Sequence, residues 1–310
     1  MARLKRFWLN YAHRYRWVYL VGIGCLILTN VLTVAIPRFV QHAIDALRDA
    51  SGGNGTGVWV AAILLAGVGV IVVRTLSRTL FFNPGRTVEF RLKNDLFRQL
   101  LTLPKSFFDQ MRPGEIISRG TNDINSIRAL IGYGTLQLFN VVLILVLTLV
   151  EMLSTNASLT LVCILPLFVA AGVLRVAIGK MFVVVREAQA QIAVLSDRIL
   201  ESYNGVAVIR AFNAHAGAQA RFDVANERLM QLGLRLARIS SWLLPIVAVV
   251  GNVCLVILLY RGGEMIMAGE LTVGELAAFA VYINIVVAGL TSLGWLVNAV
   301  QRGWISLGRV

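Results

Sequence analysis

Charged residues divide this chain into six uncharged stretches, at 17–37, 50–73, 129–150, 152–174, 239–260 and 276–301. A bilayer core about 30 Å thick takes about 20 apolar residues of helix. Each stretch carries an apolar run of about that length, the shortest at 58–73. The pattern predicts an all-α integral membrane protein with spans near 17–37, 57–77, 130–152, 157–177, 240–260 and 276–298.

The links between the stretches are unequal. Residues 74–128 and 175–238 separate spans two from three and four from five, whereas Glu151 alone divides span three from span four, and 38–49 and 261–275 form the other two turns. Long connections therefore lie on one face only. Between Lys180 and Asn204 there is neither glycine nor proline, so span four is expected to continue as one helix well beyond the membrane. If all of 175–212 were helical it would reach about 55 Å. The first long segment is expected to be interrupted at Pro84-Gly85, at Pro104 and at Pro113-Gly114, giving a bent outgoing helix and a short transverse piece before the return. Each segment reads as a helical hairpin with a tip. Ahead of the first span, Leu4, Phe7, Trp8, Tyr11, Tyr15 and Val18 recur at helical spacing among basic residues, which suits an interfacial elbow helix over 1–16. An ordinary positively flanked helix start is the alternative. Residues 17–310 then form one transmembrane domain.

Charge sets the expected orientation. Of the 29 basic residues, only Arg38, Arg48 and Arg261 lie in the short turns, and the rest flank the long-loop face. Basic residues are retained in the cytoplasm, so the long loops and both termini are expected there. The net charge of +13 then reflects orientation and attraction to lipid headgroups, with no nucleic-acid partner. A composition of 57% hydrophobic and 15% charged residues excludes a large water-soluble core. Cys25, Cys163 and Cys254 all fall inside apolar spans and are odd in number, which supports neither a disulfide framework nor a thiolate metal site. The first apolar run is too long for a signal peptide and lacks a small-residue cleavage site, so it reads as retained.

The candidate chemistry is sparse. The first tip, PGEIISRGTND, begins with a proline that pre-sets a helical turn and places Glu115 near the positive helix end. The second lies near Asn213 to Ala220 (NAHAGAQA). Each is either a solvated turn or a docking element. Asn30, Asn140, Asn252 and Asn284 lie inside apolar spans, where an amide serves as glue between helices or faces a cavity. Trp295 is an interface anchor or a cavity wall. A phosphate-binding loop needs G-x-x-x-x-G-K-[ST]. At Gly179-Lys180, the chain's only Gly-Lys pair, Leu174 and Met181 occupy the positions of the first glycine and the hydroxyl. His13, His42 and His215 are scattered and form no metal-ligand pattern. No catalytic, cofactor-binding or metal residue is assigned.

Three phrases carry a family resemblance. The run LPKSFFDQMRPGEIISRGTNDINSIR (103–128) closely resembles the first intracellular loop of ABC exporters with the type I transmembrane fold. LSDRILESYNGVAVIRAFNA (195–214) and GELTVGELAAFAVYI (269–283) resemble the same family, and the resemblance covers essentially the whole chain, most like a bacterial multidrug or lipid exporter half. It implies that two such six-helix units pair as a homo- or heterodimer, swap helices four and five, and enclose a substrate cavity. ATP and Mg would be held by nucleotide-binding domains, whose clefts receive the hairpin tips.

By position, Pro113, Gly114, Glu115, Ile116, Ile117, Ser118, Arg119 and Asn122 would form coupling helix one. Asn213, Ala214, His215, Ala216, Gly217 and Gln219 would form coupling helix two, docking in the partner subunit's domain. This second stretch departs from the family in lacking an acidic residue. Asn140, Asn252, Asn284 and Trp295 are the candidates for the cavity. Sequence resembling 300–310 leads in the family into the nucleotide-binding domain, so the chain is expected to be a truncated half-transporter, or else a membrane subunit whose ATPase is a separate chain. The function implied is the transmembrane part of an ATP-driven exporter that moves an amphipathic or hydrophobic compound by alternating access, in a bacterial plasma membrane. The alternatives are a non-transporting remnant or scaffold and an ATP-independent channel or secondary transporter. The last would need an ionisable residue or filter in the span centres, and none is visible there.

Overall fold

The computed structural model describes residues 11, 15–48, 54–111 and 113–309. The expected elbow lies outside the described residues except at Tyr11, Tyr15 and Arg16. Helix α1 is Arg16–Arg48, α2 Asn54–Thr102, α3 Lys105–Gln110 and α4 Pro113–Ser118. A π-helical turn at Arg119–Asp123 leads into α5, Ile124–Ala129, and a second at Leu130–Gly134 leads into α6, Thr135–Thr155. Helix α7 is Ala157–Asn204, α8 Val206–Ala211, α9 His215–Met267 and α10 Val273–Arg309. Among the described residues there is no strand, and six helices are long and apolar enough to cross a membrane.

These helices outrun the uncharged stretches that announce them. Helix α1 passes Arg38 and α6 passes Glu151, so the turn between α6 and α7 is Asn156 alone. A charge marks where lipid gives way to water, but it leaves the backbone ladder intact. The Asn156 side chain accepts the Leu159 N–H at 2.9 Å and caps α7. The expected interruption at Pro84-Gly85 does not occur, since α2 runs straight through it. Proline removes a single ladder bond, which a long helix with packed neighbours tolerates. Gly85 serves a different purpose there: a Cβ on it would lie 3.4 Å from the Arg128 carbonyl oxygen and from Gly132 Cα. The outgoing and returning helices therefore meet backbone to backbone at this point.

The chain divides into two compact units, Met1–Cys163 with Leu255–Val310, and Ile164–Cys254. In the first, α1 is central and packs along α2, α10 and α6. A third of its most apolar window (33%) is buried, as for α10, against 11% for α2, so α1 and α10 are the more interior helices of this unit. Gly22 makes that possible, because the Phe81 ring sits 3.0 Å from where its Cβ would be. Phe81, Leu26 and Leu136 form a core there with Tyr19, Ile23 and Leu143.

Polar ties join α1 to each of those neighbours. Asn30 Nδ2 donates to Asn140 Oδ1 at 3.2 Å, Ser77 Oγ donates to the Gly22 carbonyl at 3.3 Å, and the Tyr282 hydroxyl donates to the Val34 carbonyl at 3.1 Å. Arg38 Nε lies 2.7 Å from Glu151 Oε2. At the short-turn end, Thr272 and Glu275 form a capping box that opens α10: the Glu275 N–H donates to Thr272 Oγ1 at 3.0 Å and the Thr272 N–H to Glu275 Oε2 at 2.8 Å. Asp45 at the end of α1 closes on the same helix start, accepting from Thr272 Oγ1 at 2.9 Å and from the Gly274 N–H at 3.0 Å.

The second unit consists of the long parts of α7 and α9 joined through α8. Gln191 Nε2 donates to the Ala225 carbonyl at 2.9 Å, and Val184, Ala225 and Leu232 are buried.

Glycine at 274 is required by the Asp45 latch, because a Cβ would stand 2.4 Å from the Gln41 carbonyl and 2.6 Å from both Asp45 carboxylate oxygens. Gly274→Ala is expected to lower stability by about 1–3 kcal/mol, as overpacking does, read as a lower melting temperature in detergent. Gly24→Ala, on a face with nothing within 4 Å, is the control and is expected to be neutral or slightly stabilising.

Candidate functional site at the hairpin tips

The first tip belongs to the first unit. Helix α2 ends at Thr102, and Pro104, extended at φ −70° and ψ 160°, starts α3. Phe107 and Phe108 meet edge to face on α3 at 5.5 Å. Pro113 then opens α4, with Glu115 in the first turn, where the helix dipole favours a carboxylate. Arg119 donates to Glu115 at 2.7 Å across one turn, the favourable order of acid before base, and Asn122 donates to Ser118 Oγ at 3.4 Å. The structure thus brings Glu115, Ser118, Arg119 and Asn122 together in successive turns. Ile117 is 65% exposed among them, an apolar side chain left in the open at the end of an arm.

Behind this tip the arm is closely packed. Val88, Leu92, Ile124, Ile127 and Ile131 form a buried cluster, with Tyr11, Tyr15, Tyr19, Leu96 and Leu307 packed against it. Glu89 on α2, 12% exposed, bonds Lys93 at 2.7 Å and pairs with Arg128 at 3.3 Å and Arg86 at 3.6 Å. Burial alone would favour the neutral acid. The Lys93 hydrogen bond and the charges of Arg128, Lys93 and Arg86 outweigh it and hold the Glu89 pKa below its ordinary value. Tyr11 donates to Asp95 at 2.5 Å, and burial, then that hydrogen bond and the Asp95 charge, push its pKa up to about 12. The hydroxyl therefore keeps its proton at neutral pH.

The second tip belongs to the second unit. Helix α7 ends at Asn204, and Gly205 (φ −93°, ψ 9°) lets the chain turn into α8, so 175–212 is not one continuous helix. The short helix here is Val206–Ala211, ahead of the stretch that was expected to carry it. Of that stretch, Asn213 and Ala214 form the turn, while His215, Ala216, Gly217 and Gln219 already belong to the first turns of α9. The physical reason is Asn213: it adopts φ +50°, a left-handed conformation that asparagine tolerates and that ends a helix. The Ala214 N–H closes back on the Ile209 carbonyl at 2.8 Å. No residue of α8 is buried, and Tyr203, Val208 and Phe212 are exposed at 77%, 61% and 79%.

The candidate cavity residues fare differently. Asn140 is taken up by Asn30, the role of glue between helices. Asn284 is exposed and donates to its own helix at the Ala280 carbonyl. Asn252 is exposed on the second unit, and the Trp295 side chain lies outside the described residues. Sequence reasoning missed Asp45, Asp123 and Ser306, three residues whose partners lie far along the chain. It also passed over the capping box, although Thr272-Val273-Gly274-Glu275 carries the T-x-x-E signal for it.

Six long apolar helices, four of which continue past their apolar stretches into two hairpins with short helices at the tips, define an all-α membrane-spanning domain. The chain matches the ABC transporter transmembrane region over residues 19–290 and belongs to that family. It is 29% identical over 315 residues to the probable multidrug resistance ABC transporter ATP-binding/permease protein YheI of Bacillus subtilis, covering 99% of this chain and 51% of that one. It is 27% identical to the multidrug resistance-like ATP-binding protein MdlA of Escherichia coli, covering 97% and 52%, and 27% identical to a fatty acid ABC transporter ATP-binding/permease protein of Mycobacterium bovis, covering 91% and 51%. The chain spans about half the length of these curated relatives and corresponds to their transmembrane part.

Because the folded-state pKa of Glu89 is lowered, its ion pairs stabilise the arm at neutral pH, and that contribution is lost as pH falls below about 4.5, its ordinary value. Glu89→Gln is expected to cost about 1 kcal/mol at pH 7. The melting-temperature gap between wild type and variant should shrink on acidification below that value.

Proposed function

We propose that this chain is the membrane-spanning half of an ATP-driven exporter of amphipathic or hydrophobic compounds, working by alternating access. Its hairpin tips would dock on ABC ATP-binding domains, which hold the ATP and Mg. The single observation that carries the reading is the pair of exposed apolar tips, Ile117 on α4 and Val208 with Phe212 around α8, at the ends of helices continuing far past the apolar spans. From residue 177 to the end of α7 the extension is about 40 Å long. A soluble surface seldom strands apolar side chains on so thin an arm unless a partner covers them. The names of the relatives, which pair permease with ATP-binding parts, support that partner, and the multidrug and fatty acid transporters among them support an apolar cargo.

On this reading the docking element of the second hairpin is α8 with Phe212, and the turn at Asn213 and Ala214 fixes its direction. Stiff arms transmit closure of the ATP-binding domains as rigid-body displacement, and nucleotide biases the membrane part by whichever state it favours. A second six-helix unit completes the cavity, and the broad exposed faces of α7 and α9 leave room for it. The basic long-hairpin face is cytoplasmic and the membrane is the bacterial plasma membrane.

Ile117→Asp on the first tip, and Val208→Asp or Phe212→Asp on the second, are expected to weaken docking while leaving insertion intact. Loss of one apolar anchor costs about 2 kcal/mol or more, roughly 30-fold in affinity. The test is ATP-driven accumulation of an amphipathic fluorescent dye in inverted vesicles, using transporter that carries its ATP-binding domain. Accumulation at the wild-type rate in all three variants would sink the docking reading.

A further inference from the structure

The two π-helical turns bracket α5, and each meets the last turns of α10. Asp123 ends the first turn, is buried at 9% exposure, and accepts the Ser306 Oγ–H at 2.8 Å. Ser306 is itself 5% exposed and comes from 183 residues away in sequence. Leu130 begins the second turn and sits so close to α10 that a Cβ on Gly303 would lie 2.5 Å from its own Cβ. Gly303 and Ser306 are three residues apart and share one face of α10, so that single face touches both turns. A π-helical turn takes in one extra residue and rotates the succeeding residues by about 100°. Both departures from regular winding thus fall where α5 and its flanks engage α10. A buried carboxylate that accepts from a hydroxyl far along the chain is held in place in part by that bond.

We propose that Asp123 and Ser306, with Gly303 seated against Leu130, form a clamp that makes the end of α10 move as one body with the α4–α5 arm. Displacement of the first tip is then delivered to α10 directly, in addition to α6. The transmission role rests on the proposed docking of α4, whereas the rigid pairing of the two elements does not. Asp123 and Ser306 are positioning residues, acting through the helices they join.

The test uses spin labels at Asn125 on α5 and Trp304 on α10, both exposed, in reconstituted transporter carrying its ATP-binding domain. In the wild type the label distance should be narrowly distributed and keep the same mean with and without ATP and Mg. Ser306→Ala and Asp123→Ala should each broaden the distribution by about twofold, as loosening of a contact between two states does. The double variant should be no broader than either single one, since both remove the same bond. Asp123→Asn keeps an acceptor at Oδ1 and should retain the narrow distribution, which a role in bulk packing or overall stability would not predict. A wild-type mean that shifts with nucleotide, or alanine variants as narrow as the wild type, would overturn the clamp. If the Ile117, Val208 and Phe212 variants transport normally while Ser306→Ala still broadens the distribution, the docking reading fails and the rigid pairing stands. If those tip variants fail to transport and the distribution does not respond to Ser306→Ala, the clamp alone is wrong.

Discussion

Lipid cannot hydrogen-bond a peptide group, and the remaining features of this chain stem from that constraint. Every span closes its backbone bonds within itself, so each is a helix, and the helices persist well past the uncharged apolar stretches because nothing at the headgroup level interrupts the ladder. Side chains obey the same rule. Thr29 and Thr33 turn their hydroxyls onto carbonyls of their own helix, Thr160 donates to the Asn156 carbonyl of the turn and the Met152 carbonyl of α6, and Asn30 divides its amide between its own helix and Asn140. The few polar groups that reach across to another helix therefore act as fixed ties between apolar surfaces. Without them, the surfaces would have only shape complementarity to hold register in a solvent as apolar as themselves.

In the first unit, besides the ties of α1 to Asn140, Ser77 and Tyr282, polar pairs gather at the two ends of the bundle. Asp45 with Thr272 and Gly274, and Arg38 with Glu151, hold the short-turn end around α1. Glu89 with Lys93 and Arg128, and Asp123 with Ser306, hold the long-hairpin end. Between them lie close helix contacts made possible by glycine at Gly22, Gly85 and Gly132. A bundle fastened at both ends and tightly fitted between resists continuous deformation, because packed interfaces tend toward discrete arrangements.

Among the described residues, the second unit has few such ties. Its two long helices share the Gln191 to Ala225 bond and a few buried residues, and much of their apolar surface is exposed. In the membrane lipid covers such a surface at no cost, but beyond the membrane it calls for a protein neighbour. The short helix α8, with no buried residue, is the extreme case, and Gly205 and Asn213 set its direction by backbone conformation alone.

The hydrophobic pattern by itself determined the six spans, the helical class and the presence of two long hairpins, since burial in lipid leaves the chain one backbone solution and writes it as runs of about 20 apolar residues. It also placed the helix from Lys180 to Asn204 and the first tip at Pro113, where local propensity and a proline act within a few residues of themselves. Helix ends were less legible. Pro84-Gly85 reads as a break, but close packing by the returning chain carries α2 through it, and the second short helix lies ahead of where composition put it because a left-handed Asn213 cannot be read from composition. Only the tertiary structure decided which polar residues matter together. Asp45 finds Thr272 and Gly274, Asn30 finds Asn140, and Asp123 finds Ser306 across separations of 110 residues or more, and a hydrogen bond between distant residues leaves no periodic trace in one sequence.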